Sequence, residues 1–382
     1  MNITHLLGHN SKWSIDSYID NGIGNYFLLT AFSQGVDFDS KKAFQKILDI
    51  SMIDLQFYGK KNIKGKLNEF PFHPSNCNDE EVTNIYFDNC VKQSIEFQKR
   101  KGFKNIIIPH FYENEEEGDI IRTIRNFSNY ISKIRTNGER YFMTLPFAHH
   151  VIINKDKVER ILLASTDMRI SFDGYFVVCE NKPEIRRKLT TDLKILTNLA
   201  HILKTLKYQE FETIYAYANW DAIILLALTD IDYITIGTYE NLRNFDIKRY
   251  TEDASGGGSK GYYFSEKLLN MIKADSIKLL RDTDNLRIIK NDRNIFSEII
   301  LKDGYPWNIH KPDVNKNYLL SISRLLNDIS NITDLKQRKR YVLSLINQAI
   351  EKYDYLEKNN IFLDKESENY HLNIWKTFLL KV

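Results

Sequence analysis

Cysteine is scarce in this chain. Cys77, Cys90 and Cys179 are the whole complement in 382 residues, and their spacing fits no zinc-binding pattern. An odd number of thiols does not describe a disulfide scaffold and points to a reducing, cytoplasmic setting. The opening MNITHLLGHNSKW lacks a basic stretch followed by an apolar core, so no export signal is expected. No uninterrupted apolar run reaches the roughly 18 residues of a membrane span, so no membrane is expected as a partner. A dominant charge is missing too: 53 Lys+Arg stand against 50 Asp+Glu, a formal +3. That balance gives nucleic acid no support as a partner, since such binding usually leaves a strongly basic domain or stripe. No Rossmann fingerprint supports a dinucleotide, and the compact metal motifs H-x-H and H-E-x-x-H are absent. No cofactor is therefore predicted. A divalent metal would need His110, one of the His149–His150 pair and Glu180 to converge from separate segments.

What the chain does have is apolar residues, 43% of the total, gathered into eight short runs. They are Tyr26–Phe32, Met52–Tyr58, Asn105–Tyr112, Tyr141–Leu145, Gly174–Glu180, Thr213–Ala218, Tyr233–Gly237 and Tyr262–Phe264. Runs of this length suit strands buried on both faces. Stretches long enough for helices separate most of them, which is the pattern of parallel βαβ units. Eight units in about 275 residues is the count and length of a closed parallel (β/α)8 barrel of the TIM type. Ser14–Asn21 reads as a short helix plugging the barrel before its first strand, and Ser40–Ile50 as an amphipathic helix. Residues 1–290 are assigned to the barrel. Residues 291–382 change pattern and read as a helical C-terminal extension, packed on the barrel or on a protein partner. Its run Lys336-Gln-Arg338-Lys339-Arg340 opens a long helix and hints at an acidic partner, because positive charge there opposes the helix dipole.

A barrel places its site at the C-terminal ends of the strands, so the polar residues there are the candidates. The second run ends in Asp54-Leu-Gln56-Phe-Tyr58, and alternate strand residues share a face. The third ends in His110-Phe-Tyr112. Glu180 closes the fifth, Asn219 and Asp221 follow the sixth, and Glu240 follows the seventh. A carboxylate on a buried strand is costly unless paired or functional, which singles out Asp54 and Glu180. His110 titrates near neutrality when unperturbed and suits general acid–base work. These three are the catalytic candidates, with Gln56, Tyr58, Tyr112, Asn219, Asp221 and Glu240 as substrate ligands. The loop Ser255-Gly-Gly257-Gly258-Ser-Lys260-Gly261 joins them. Backbone N–H groups of glycines can crowd round an anion, and barrels often hold phosphate near their last two strands. Its spacing is not that of a Walker loop.

The stretch A-Y-A-N-W-D-A-I-I-L-L-A-L-T-D-I-D-Y-I-T-I-G, Ala216 to Gly237, resembles the late barrel strands of the tRNA-guanine transglycosylases. The resemblance implies a barrel with two catalytic aspartates. This chain departs from that family in offering Thr235 on the strand that carries the nucleophile, and in lacking the zinc-binding cysteines. The residues thus predict a barrel enzyme using acid–base or carboxylate chemistry on a small-molecule, phosphate-bearing or nucleotide-like substrate. The alternatives are a nucleobase- or tRNA-directed transglycosylase-like barrel and a non-catalytic binding or assembly module.

Overall fold

The protein is described here from a computed structural model, covering residues 1–59, 65–77, 82–111, 116–182, 189–251, 261–308 and 311–382. Eight parallel strands run round a nearly closed barrel: β1 (Asn2–Leu7), β2 (Tyr26–Thr30), β3 (Ser51–Asp54), β4 (Asn105–Ile108), β5 (Arg140–Phe147), β6 (Gly174–Cys179), β7 (Glu212–Ala218) and β8 (Tyr233–Gly237). Their spatial order is β3-β2-β1-β8-β7-β6-β5-β4. Chain ends meet where β1 pairs with β8 through Thr4↔Thr235 and with β2 through Thr4↔Tyr26. β3 and β4 stand side by side at the one seam without a hydrogen-bonded ladder among the described residues. Helices such as Asn84–Arg100, Glu117–Ile134, Lys155–Ser165 and Leu193–Tyr208 cover the outside. Each turns an apolar face to the strands, for instance Ile120, Ile124, Phe127 and Ile131.

Two expected strands are corrected. The first strand of the barrel is β1, not Tyr26–Phe32. Its run N-I-T-H-L-L is broken by Thr4 and His5, which disguises it, yet both are fully buried. His5 Nε2 donates to the Ile23 carbonyl at 2.7 Å, and burial pushes its pKa down to about 4. Ser11–Asn21 is consequently the crossover helix from β1 to β2 rather than a plug before the first strand. Tyr262–Phe264 is not a barrel strand. It belongs to β9 (Tyr262–Ser265), which pairs antiparallel with β10 (Asn270–Lys273) in a separate hairpin. Its apolar residues are buried by a helix instead: Phe264 meets Tyr318 of the helix Pro312–Ser330 edge-on at 5.4 Å. Ser40–Ile50 is not one helix either, but three short turns, Phe38–Ser40, Lys42–Gln45 and Leu48–Ile50.

The two ends of the barrel differ in kind. At the strand N-terminal ends Arg140 pairs with Glu212 at 2.6 Å and donates to the Tyr233 hydroxyl at 2.7 Å. That closes the bottom with charges satisfied among themselves. The C-terminal region packs on the barrel. Arg338, from the basic run, is only 2% exposed and pairs with Asp230 at 2.9 Å while donating to the Leu226 carbonyl. Its acidic partner thus lies within the chain, on the connection between β7 and β8. No helix is long and apolar enough to cross a membrane among the described residues.

Candidate functional site

β3 ends at Asp54, and the next residues leave the strand sharply. Gln56 has φ of +56°, a conformation that non-glycine residues rarely adopt. Tyr217 near the end of β7 has φ of +53°, where the pairing of β7 with β8 shifts register between Tyr215 and Ala218. Such strain persists only where surroundings over-determine it, and here both residues converge on one buried carboxylate. Asp54 Oδ1 accepts from the Gln56 backbone N–H at 2.9 Å. Oδ2 accepts from the Tyr58 hydroxyl at 2.9 Å and the Tyr217 hydroxyl at 2.8 Å. The Gln56 amide donates to the hydroxyls of Tyr217 and Tyr250, both at 2.8 Å, and accepts from the Phe32 N–H. Phe245 packs on the rings of Tyr58, Tyr217 and Tyr250. Burial lifts the Asp54 pKa to about 6, opposed by those hydrogen bonds. Asp54, Gln56 and Tyr58 are thus brought together, but by the turn that follows β3 at Asp54 and not by alternation along one strand, which does not extend to Tyr58. Tyr217 and Tyr250 complete the group, and no pattern in the sequence marked them.

A narrow cleft lies on the other side of Tyr217, over the ends of β6 and β7. Its walls include Asn181, Thr190, Tyr215, Asn219, Asp221 and Arg243. Asp221 follows β7 directly and is 5% exposed. Its Oδ2 accepts from the Thr190 hydroxyl at 2.7 Å and the Thr190 N–H at 3.1 Å, and Asn181 donates to that same hydroxyl at 2.6 Å. Its Oδ1 is buried and completes no hydrogen bond. Burial raises the Asp221 pKa, with the Thr190 hydrogen bonds opposing. Thr190 is itself fixed from the far end of the chain: Trp375 Nε1 donates to its carbonyl at 2.9 Å.

Asn219 and Arg243 also line a second narrow cleft, with Trp220, Glu240, Tyr262, Asn270, Met271, Glu366 and Tyr370. The hairpin β9–β10 and the segment before the helix Leu372–Lys381 therefore roof the barrel mouth.

The remaining candidates stand apart. His110, 1% exposed, donates from Nδ1 to the Phe111 carbonyl at 2.7 Å, and burial pushes its pKa down to about 4. Glu180 accepts from the His149 N–H at 3.1 Å, at the start of a short helix, with Lys182 at 3.7 Å. Neither lines the two clefts at the barrel mouth. Tyr112, Gly257, Gly258 and Lys260 lie outside the described residues. Thr235, at the transglycosylase nucleophile position, is wholly buried in the strand β8. Among the described residues no three His, Cys, Asp or Glu side chains are grouped to hold a metal ion.

No protein-family model matches the chain, and no curated protein matches it. Among solved structures, N-acetylneuraminate lyase from Mycoplasma synoviae aligns over 100% of this chain and 96% of its own, at 9% identity and a TM-score of 0.32. Fructose-bisphosphate aldolase from Campylobacter jejuni aligns over 86% and 87%, at 10% identity and a TM-score of 0.36. Neither likeness is strong enough to bear on chemistry. The barrel stands on this chain's own strand order and parallel register.

Proposed function

We propose that this chain is a barrel enzyme of the acid–base type, in which Asp221 exchanges a proton with a small polar substrate held over β6 and β7. The observation that carries the reading is the divided state of the Asp221 carboxylate. Thr190 occupies one oxygen with two donors, while the other is buried without a partner on a cleft wall. A structural carboxylate has both oxygens satisfied, since an orphaned buried acceptor costs on the order of 1–3 kcal/mol. A proton-transfer group needs one oxygen held and one free, with a pKa raised toward the working pH. Asp221 has both properties. The side chains of Asn181 and Asn219 supply neutral polar groups on the same wall, suited to hydroxyl or carbonyl oxygens. Asp54 acts at one remove in this reading, holding Tyr217 and so the cleft's inner wall.

The test is isotope exchange. The protein is incubated in D2O with a panel of small hydroxy acids, keto acids and aldoses, and carbon-bound proton signals are followed by NMR. Wild type should wash out a proton from at least one compound, with a pH profile whose acidic limb lies above the ordinary carboxylate range. Asp221→Asn should abolish the exchange. Identical behaviour of the two proteins across the panel would sink the proposal.

A further inference from the structure

The second cleft contains two buried donors with nothing to donate to. Trp220 is 2% exposed, and its indole Nε1–H completes no hydrogen bond. Arg243 is 9% exposed, and its Nε–H completes none either. Arg243 also forms no ion pair with any described residue. Its guanidinium lies over the ring of Tyr318 at 4.4 Å, which orients the charge without neutralising it. Both residues line the same cleft, together with Asn219. Buried arginine is normally paired, because an uncompensated charge away from water is expensive. A planar fork of N–H donors beside an indole N–H is complementary to an oxyanion.

We infer that Arg243 and Trp220 form an anchoring site for the carboxylate of a small organic acid, in the cleft roofed by the C-terminal segment. The surroundings decide which oxyanion. Glu240 and Glu366 line the same cleft, and like charges there oppose a phosphate dianion more than a monoanion. Tyr262, Tyr370 and Met271 offer apolar and aromatic surface to the body of the ligand. The two donors are also held by the C-terminal region, not by the barrel alone. Trp220 packs on Phe264 at 5.5 Å and Arg243 on Tyr318. The hairpin and the helix Pro312–Ser330 thus position an anion site at the end of β7 and the loop after β8.

The probe is benzoate, a monocarboxylate with an aromatic body, and the readout is the indole N–H of Trp220. The chain has four tryptophans, so the resonance missing from Trp220→Phe identifies it in a nitrogen–proton spectrum. Benzoate should move that resonance saturably toward the hydrogen-bonded position. Arg243→Gln should weaken the titration by roughly tenfold or more, the loss expected for a charge-assisted donor. Arg243→Lys, which keeps the charge and the packing stem, should fall between them and guards against a misfolded glutamine variant. The inference is overturned if the Trp220 resonance stays still at saturating benzoate, if Arg243→Gln and wild type titrate alike, or if inorganic phosphate binds more tightly than benzoate.

Discussion

The hydroxyl of Tyr217 donates to the carboxylate of Asp54 at 2.8 Å across the barrel mouth. Three strands, β2, β1 and β8, separate their two strands in the sheet. The bond is a strut from one side of the mouth to the other, and Tyr217 presents its remaining surface to the Asp221 cleft. One side chain therefore belongs both to the buried cluster and to the cleft wall.

Tyr217→Phe removes that donor, takes from Gln56 one of its two acceptors and leaves the Tyr250 hydroxyl without its partner on Tyr217. The expected cost is about 1–3 kcal/mol at pH 7, the range for orphaned buried groups. The cost should shrink at pH 5, below the Asp54 pKa of about 6, because a neutral carboxyl needs fewer donors. Urea unfolding at the two pH values measures both numbers.

Acid should act on this protein through two opposing sets of groups. Burial holds His5, His73 and His110 at a pKa of about 4 and His371 at about 3. The unfolded chain takes up those protons near pH 6.5, so their neutral folded state loses stability as the pH falls from 6.5 toward 4. Asp54 has the opposite sign. Its folded pKa is raised, so it is least favourable above pH 6 and gains stability as the pH falls toward 4. Asp54→Asn lacks that gain. From pH 7 to pH 4 the variant should lose on the order of 3 kcal/mol more than wild type, two pKa units' worth. Parallel curves would show that Asp54 is not the group with the raised pKa.

Gly237 ends β8 with no room for a side chain. A Cβ there would lie 2.2 Å from Leu242 Cβ and 2.7 Å from the Leu242 carbonyl oxygen. Gly237→Ala must push away the turn Glu240–Leu242, which immediately precedes Arg243. The expected loss is about 1–3 kcal/mol, as for overpacked cores, together with weaker benzoate binding. A variant that loses stability but keeps full benzoate affinity would show that the turn does not position Arg243.

Trp375→Phe deletes the donor to the Thr190 carbonyl. The fold should survive with a loss of about 1–3 kcal/mol. Proton exchange should fall with it, since Thr190 holds the bound oxygen of Asp221. A variant destabilised to this extent but with unaltered exchange would show that Thr190 needs no support from the C-terminal helix.

The barrel was legible because burial on both faces writes a strand as a plain apolar run; β2 through β8 are such runs. β1 was not, because Thr4 and His5 are tolerated inside only by contacts that appear after folding, such as the bond from His5 to the Ile23 carbonyl. Tyr262–Phe264 has the same apolar signature as a barrel strand, yet a helix supplies its burial. Asp54, Gln56 and Tyr58 could be grouped because they lie close together in one segment, although a turn and not strand alternation brings them together. Tyr217, Tyr250 and Arg243 could not, because they are recruited from distant segments, and the positive φ of Gln56 and Tyr217 leaves no mark in residue type. His110 and Glu180 occupy the strand ends that sequence reasoning favours, but their bonds are to backbone groups beside them.

The bond between Trp375 and Thr190 also sets an order of events during synthesis. β8, ending at Gly237, leaves the ribosome well before Trp375, and with it β1 gains its second neighbour. Until residue 375 emerges, Thr190 lacks its support and the wall around Asp221 is unfinished. A nascent chain with a complete barrel would have the scaffold without the finished cleft, so the proton exchange proposed for Asp221 would be withheld until the roofing helix arrives.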